Sequence, residues 1–137
     1  MSVGRRSKAQ VNKVRETVYR RDHWTCIAAH TAYGAQCNAE LTIQHRVTRG
    51  MGSSARFDEP KHLLAMCAYH NFLDTADGVF RDFCVARGYS VKRWAANSAG
   101  VIPVHYADGW FLLQGDDRVE VSSVEASRLM KEVYGDG

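Results

Sequence analysis

Four cysteines and six histidines are the residues of this 137-residue chain that can hold a metal ion or carry a proton near neutral pH. The start, Met1-Ser2-Val3-Gly4-Arg5-Arg6, has basic residues with no apolar core behind them, so no secretory leader is expected. In a reducing cytoplasm cysteines serve as metal ligands or buried thiols rather than as disulfides. Cys26, Cys37 and Cys67 sit among polar and turn residues, whereas Cys84 falls on an apolar helical stripe and reads as core packing. Cys67-Ala68-Tyr69-His70 has the spacing of a zinc half-site. Cys26 and Cys37 have ten residues between them, wider than a usual knuckle, and His30 offers a competing C-x3-H pair with Cys26.

These residues lie at the joints of recognisable elements. Residues 8–21 space Val11, Val14 and Val18 at helical intervals among basic side chains, predicting an amphipathic helix with a cationic outer face. Residues 22–38 read as a loop or knuckle. Residues 39–47 predict a strand in which Leu41 and Ile43 alternate with Thr42 and Gln44. A Gly-, Ser- and Arg-rich loop over 48–60 leads to a second short strand at 61–66. From about 68 to 87, Phe72, Leu73, Ala76, Val79, Phe80, Phe83 and Cys84 predict one long amphipathic helix ended by Gly88. Residues 101–113 form two apolar runs around Ala107-Asp108-Gly109, a hairpin signal. Val119–Val121 adds a third strand and Val124–Tyr134 a closing helix. His105, inside the hairpin, has no evident partner.

Composition narrows the function classes. Apolar residues make up 45% and charged residues 24%, as in a globular chain, and no apolar run approaches the ~20 residues that cross a bilayer. The net charge of +3 is unevenly spread: residues 1–21 carry +6, residues 22–93 carry +1 and residues 94–137 carry −4. A basic arm on a near-neutral body suits a polyanion such as DNA. The expected layout is a basic arm at 1–19, a core at 20–93 and an extension at 94–137.

A strand, a loop, a strand and a helix with Cys and His at the junctions describe a ββα metal-binding unit. Through RRDHWTC (20–26), CNAELTIQHRVTRGMG (37–52) and EPKHLLAMCAYHN (59–71), the chain resembles the HNH nucleases. It is especially similar to small HNH proteins of actinobacterial phages. The resemblance spans residues 20 to about 85. It implies an α+β fold with a ββα core, a structural zinc site, a basic N-terminal helix and a C-terminal hairpin extension.

The resemblance also implies roles. His45 would be the general base that activates water, and His62 stands where the family's Asn orients that base. Gln44 and Asn71 occupy the positions that hold a catalytic Mg2+ or Mn2+, and both are neutral where a hard dication prefers a carboxylate. Cys26, Cys37, Cys67 and His70 would bind the structural zinc; in a rival register His70 binds the catalytic metal instead of Asn71. Arg46, Arg49 and Arg56, with Arg5, Arg6 and Lys8 of the arm, are the expected phosphate contacts. Trp24 and Tyr33 are placed either to stack on bases or to cover the knuckle.

The reading that follows is a metal-dependent DNA endonuclease in the host cytoplasm, either free-standing homing or assisting DNA processing. It would act on double-stranded DNA as a monomer or weak homodimer, away from membranes. The alternative is a zinc-stapled DNA-binding module whose HNH site has decayed, favoured by Gln44 and His62. A third is a structural or inhibitory phage protein that keeps the ββα unit only as a scaffold.

Overall fold

The computed structural model describes residues 7–38, 40–47 and 57–135. Helix α1 (Lys8–Arg21) forms as the valine spacing predicts. Ser7 caps it: its hydroxyl accepts from the Gln10 amide while the Gln10 side chain accepts from the Ser7 amide, satisfying two otherwise open donors. Val18 is buried, Val14 half-buried, and the basic side chains of the helix other than Arg21 face solvent.

Two short 3-10 turns, Ile27–His30 and Gly34–Gln36, lead into β1 (Leu41–His45). β1 pairs antiparallel with β2 (Leu63–Cys67), from Leu41 opposite Cys67 to His45 opposite Leu63. A 3-10 turn over Pro60–His62 precedes β2, so the second strand starts two residues later than its apolar run suggests. α1 packs on β2, and α2 (Ala68–Ala76) packs on both strands. With both faces covered, every residue of β2 is buried. The same cover explains why Gln44 and Arg46, polar by sequence, lie inside.

The long helix predicted over 68–87 is two. Asp77 leaves the helical conformation, and its carboxylate accepts from the amides of Val79 and Phe80, capping α3 (Gly78–Ala86). The break shifts the helical phase. Phe72 and Val79, which the unbroken pattern places in the core, are exposed at 66% and 73%, while Phe80 and Cys84 are fully buried. Gly88 ends α3 at φ +77°; a Cβ there would lie 1.9 Å from the Pro103 carbonyl oxygen.

Beyond a 3-10 stretch (Arg93–Val101), β3 (Val104–Tyr106), β4 (Gly109–Gln114) and β5 (Asp117–Val121) form an antiparallel meander, closed by α4 (Ser123–Tyr134). Val104, Tyr106, Phe111 and Leu113 belong to the same core as Leu64, Met66 and Phe80, so the extension shares the core of residues 20–93.

One carboxylate joins three elements. Asp22 Oδ1 accepts from Arg21 Nε (2.8 Å) and the Tyr106 hydroxyl (2.5 Å), and Oδ2 from Arg21 NH2 (3.0 Å) and the Ala65 amide (2.9 Å). Arg21 in turn donates to the carbonyls of Pro60 and Leu63. Both side chains of this ion pair are 1% exposed. Asp22→Ala leaves a buried guanidinium without its counter-charge and is expected to cost about 3–5 kcal/mol. Tyr106→Phe removes one hydrogen bond to the same carboxylate and should cost about 1–3 kcal/mol. Urea unfolding measures both, and equal effects would show that the carboxylate is not the hub.

Candidate functional site

Cys26 stands just ahead of the first 3-10 turn, Cys37 just after the second, Cys67 ends β2 and His70 lies in the first turn of α2. The two turns close against each other because Gly34 has no side chain; a Cβ there would lie 2.0 Å from the Ala29 carbonyl oxygen. His70 Nδ1 is 3.2 Å from Cys67 Sγ, 3.5 Å from Cys37 Sγ and 3.7 Å from Cys26 Sγ. All four ligand atoms lie within 4.8 Å of one another. Tetrahedral zinc with bonds of about 2.0–2.3 Å separates its ligands by roughly 3.5–3.8 Å, which these distances approach. The His70 ring is fixed by stacking on Phe80 (5.2 Å between centroids) and by the edge of Tyr33.

The protonation states of these groups point the same way. Burial pushes the Cys26 thiol up to about 12 and also raises Cys37, while burial lowers His70 below its ordinary value. Cys26 and Cys37 therefore hold their protons unless a cation displaces them, and the imidazole is neutral and ready to coordinate. Three soft sulfurs and one imidazole suit zinc. His70 faces the three sulfurs, as a fourth ligand of the same cluster would.

Cys84 stands apart, fully buried, its thiol raised by burial. His30 is also outside the cluster. Its Nε2 lies 3.1 Å from His105 Nδ1, and Arg87 NH1 lies 2.8 Å from that same nitrogen, so His105 does have partners. Burial and the Arg87 charge hold both histidines below their usual value. The unfolded chain thus binds protons that the folded one refuses, and stability should fall as pH drops below about 6.5. His105→Gln should flatten the decline in melting temperature between pH 7 and pH 5. An unaltered decline removes the pair from the acid response.

His45, at the end of β1, is half-exposed, and its Nε2 lies 3.1 Å from Asp58 Oδ1. Sequence reading missed Asp58; its one signal was an acidic residue at the end of the loop that follows the histidine. His62 is buried; its ring meets the edge of Phe57, and it lines a cleft of about 390 Å3 with Lys61, Asn97 and Ser98.

Three expected ligating or phosphate-binding residues are engaged in bonds within the fold. Gln44 is 1% exposed, and its Nε2 donates to Asp74, the Tyr89 carbonyl and Ser90. Asp74 is held further by Ser90 and Arg81. Asn71 Nδ2 donates to Thr42 Oγ1 and the Ile43 carbonyl. A side chain sealed as Gln44 is does not reach a substrate phosphate, so the Gln44–Asn71 pair does not fit a substrate-bridging Mg2+ or Mn2+. Arg46 is fully buried, and its guanidinium donates to the carbonyls of Gly88, Lys61, Ala99 and Ile102. It is not a phosphate contact, and burial lowers its pKa to about 10.

Lys8 is exposed in the first turn of α1, while Arg5, Arg6, Arg49 and Arg56 lie outside the described residues. Tyr33 packs against His70, Phe80 and Phe83 and so covers the knuckle. Among the described residues no helix is long and apolar enough to cross a membrane. No protein-family model, no curated protein and no solved structure matches this chain.

Proposed function

We propose that this protein is a zinc-stapled DNA endonuclease of the HNH type, in which His45 is the general base. The observation that supports this most is the His45–Asp58 pair at the end of β1, in a ββα unit whose Cys3His cluster lies at the strand–helix junction. Asp58 holds the imidazole through Nε2, and His45 so oriented takes a proton from the attacking water. Asp58 also stabilises the imidazolium that results. A divalent cation, were one bound beside His45, would supply charge stabilisation for the leaving oxygen; Gln44, sealed as it is, would not hold it.

A plasmid-nicking assay of the zinc-loaded protein with Mg2+ or Mn2+ tests the proposal. His45→Ala should lower the rate about 10²–10⁴-fold while leaving folding and DNA affinity in place, because the base is not a zinc ligand. Asp58→Asn should lower it by less. Nicking by His45→Ala at the wild-type rate rules out the assignment.

A second reading, a DNA-binding module without cleavage, is favoured by the inward turn of Gln44, which leaves the usual ligand position spent on Asp74. DNA binding with no cleavage under either metal selects it. In both readings the arm supplies affinity through counterion release. Deleting residues 1–15, which removes five basic groups, should flatten the salt dependence of binding.

A further inference from the structure

At the end of α1 the chain turns through two successive left-handed residues, neither of them glycine: His23 at φ 60° and Trp24 at φ 56°. The Trp24 amide donates to the Tyr19 carbonyl (2.8 Å) and the His23 amide to the Arg20 carbonyl (3.2 Å). This is the helix-ending motif in which glycine normally takes the first left-handed position. The motif's apolar contact is present as Trp24 on Tyr19, with ring centroids 5.3 Å apart. Left-handed backbone costs non-glycine residues about 1–2 kcal/mol each. A tryptophan also gains most from burial, yet Trp24 remains 61% exposed. Local stability therefore does not account for its place.

Its neighbours supply the chemistry of a partner. Lys8, Arg15 and Tyr19 recur at i, i+7 and i+11, so they lie along one face of α1, and Trp24 rests on the last of them. Lys8, Lys13, Arg15 and Arg20 are all exposed, against the one acid of the helix, Glu16, which pairs with Arg20. On this face Lys8 and Arg15 stand about 10 Å apart along the axis and lead to a flat aromatic surface, while Lys13 and Arg20 lie on another side of the helix. The turn is firmly based, since Asp22 precedes it in its buried clamp and Cys26 of the metal cluster follows two residues later.

We propose that Trp24 is a base-stacking residue: α1 follows the phosphates of a nucleic acid strand, and Trp24 receives an unpaired or locally opened base. Every base has a π-face, so such a contact tolerates any sequence, and a stacked base strengthens binding about 5- to 150-fold. The inference rests on the DNA-binding part of the proposed function and is independent of His45.

The test is anisotropy of a labelled single-stranded thymidine oligonucleotide titrated with the metal-loaded full chain, beside a duplex of the same length. Trp24→Leu keeps an apolar contact with Tyr19 but loses the flat face; it should weaken single-strand binding about 10-fold without changing the salt slope. Trp24→Phe should stay within about 3-fold of wild type. Trp94→Ala, which removes another exposed tryptophan (67% exposed), should have no effect. Metal content and melting temperature confirm that each variant is folded. Equal binding by wild type and Trp24→Leu overturns the stacking role and leaves DNA binding standing. Wild-type protein that binds neither strand form overturns the DNA reading and the inference with it. A wild-type dimer that Trp24→Leu dissociates makes Trp24 a protein contact and also overturns the inference.

Discussion

Removing zinc from the folded protein is expected to unfold its centre. A structural Cys3His site contributes on the order of 10 kcal/mol at neutral pH, comparable with the whole stability of an ordinary domain at about 5–15 kcal/mol. The cluster is not peripheral here. Cys26 and Cys67 lie in the main core with Phe80, Leu64 and Met66, and His70 stacks directly on Phe80. Without the cation, three thiols and one imidazole remain, and the turns Ile27–His30 and Gly34–Gln36 are left to the packing of Ile27, Ala28 and Tyr33. Chelation should therefore abolish the cooperative melting transition or lower it by more than about 20 °C. Cys67→Ser should do the same and reduce bound zinc well below one per chain. Cys84→Ser, equally buried but outside the cluster, should keep its zinc and lose only stability. Metal-free protein that melts at the temperature of the loaded form would refute the site.

The parts that could be read from sequence share a physical reason. α1, the two strands, the hairpin and the closing helix were all carried by apolar periodicity or turn residues, which act within a few positions. The cluster was legible because thiols are chemically distinctive and sit at the element junctions. Gln44 and Arg46 could not be placed this way. A strand with one wet face alternates, so a polar residue beside Ile43 reads as outward; α2 and the segment Tyr89–Ser90 cover that face, and Gln44 is drawn inward to Asp74, thirty residues away. The break at Asp77 was hidden for a related reason. Apolar residues continue in phase through 72–84, and only the cap geometry shows that the phase resets. His105 and Asp58 acquire their partners from segments distant in sequence, which no local pattern records.

Arg46 gives the second large effect, and it separates the two roles an arginine beside a presumed catalytic histidine can have. Its guanidinium donates to the carbonyls of Lys61 (2.8 Å), Gly88 (2.9 Å), Ile102 (3.0 Å) and Ala99 (3.2 Å). These carbonyls come from the turn before β2, the end of α3 and the 3-10 stretch, so one planar fork ties the ββα unit to the C-terminal extension. Arg46→Ala takes the guanidinium donor from the carbonyls of Gly88, Lys61 and Ile102, while Ala99 keeps the Ile102 amide, and it opens a cavity; at about 1 kcal/mol or more for each of the three, with the cavity besides, the loss should be about 4 kcal/mol or greater. That is enough to leave many small domains largely unfolded. Arg46→Lys is the sharper variant. It keeps the charge, so a phosphate contact would survive it with modest loss of affinity. An ammonium with three donors on a flexible stem does not reproduce the fork, so a structural clamp would not survive it. The expected result is a fall in stability of about 2–3 kcal/mol, read from urea unfolding, with an unchanged salt slope of DNA binding in the fraction that remains folded. Wild-type stability in Arg46→Lys together with a flatter salt slope would return Arg46 to the DNA surface.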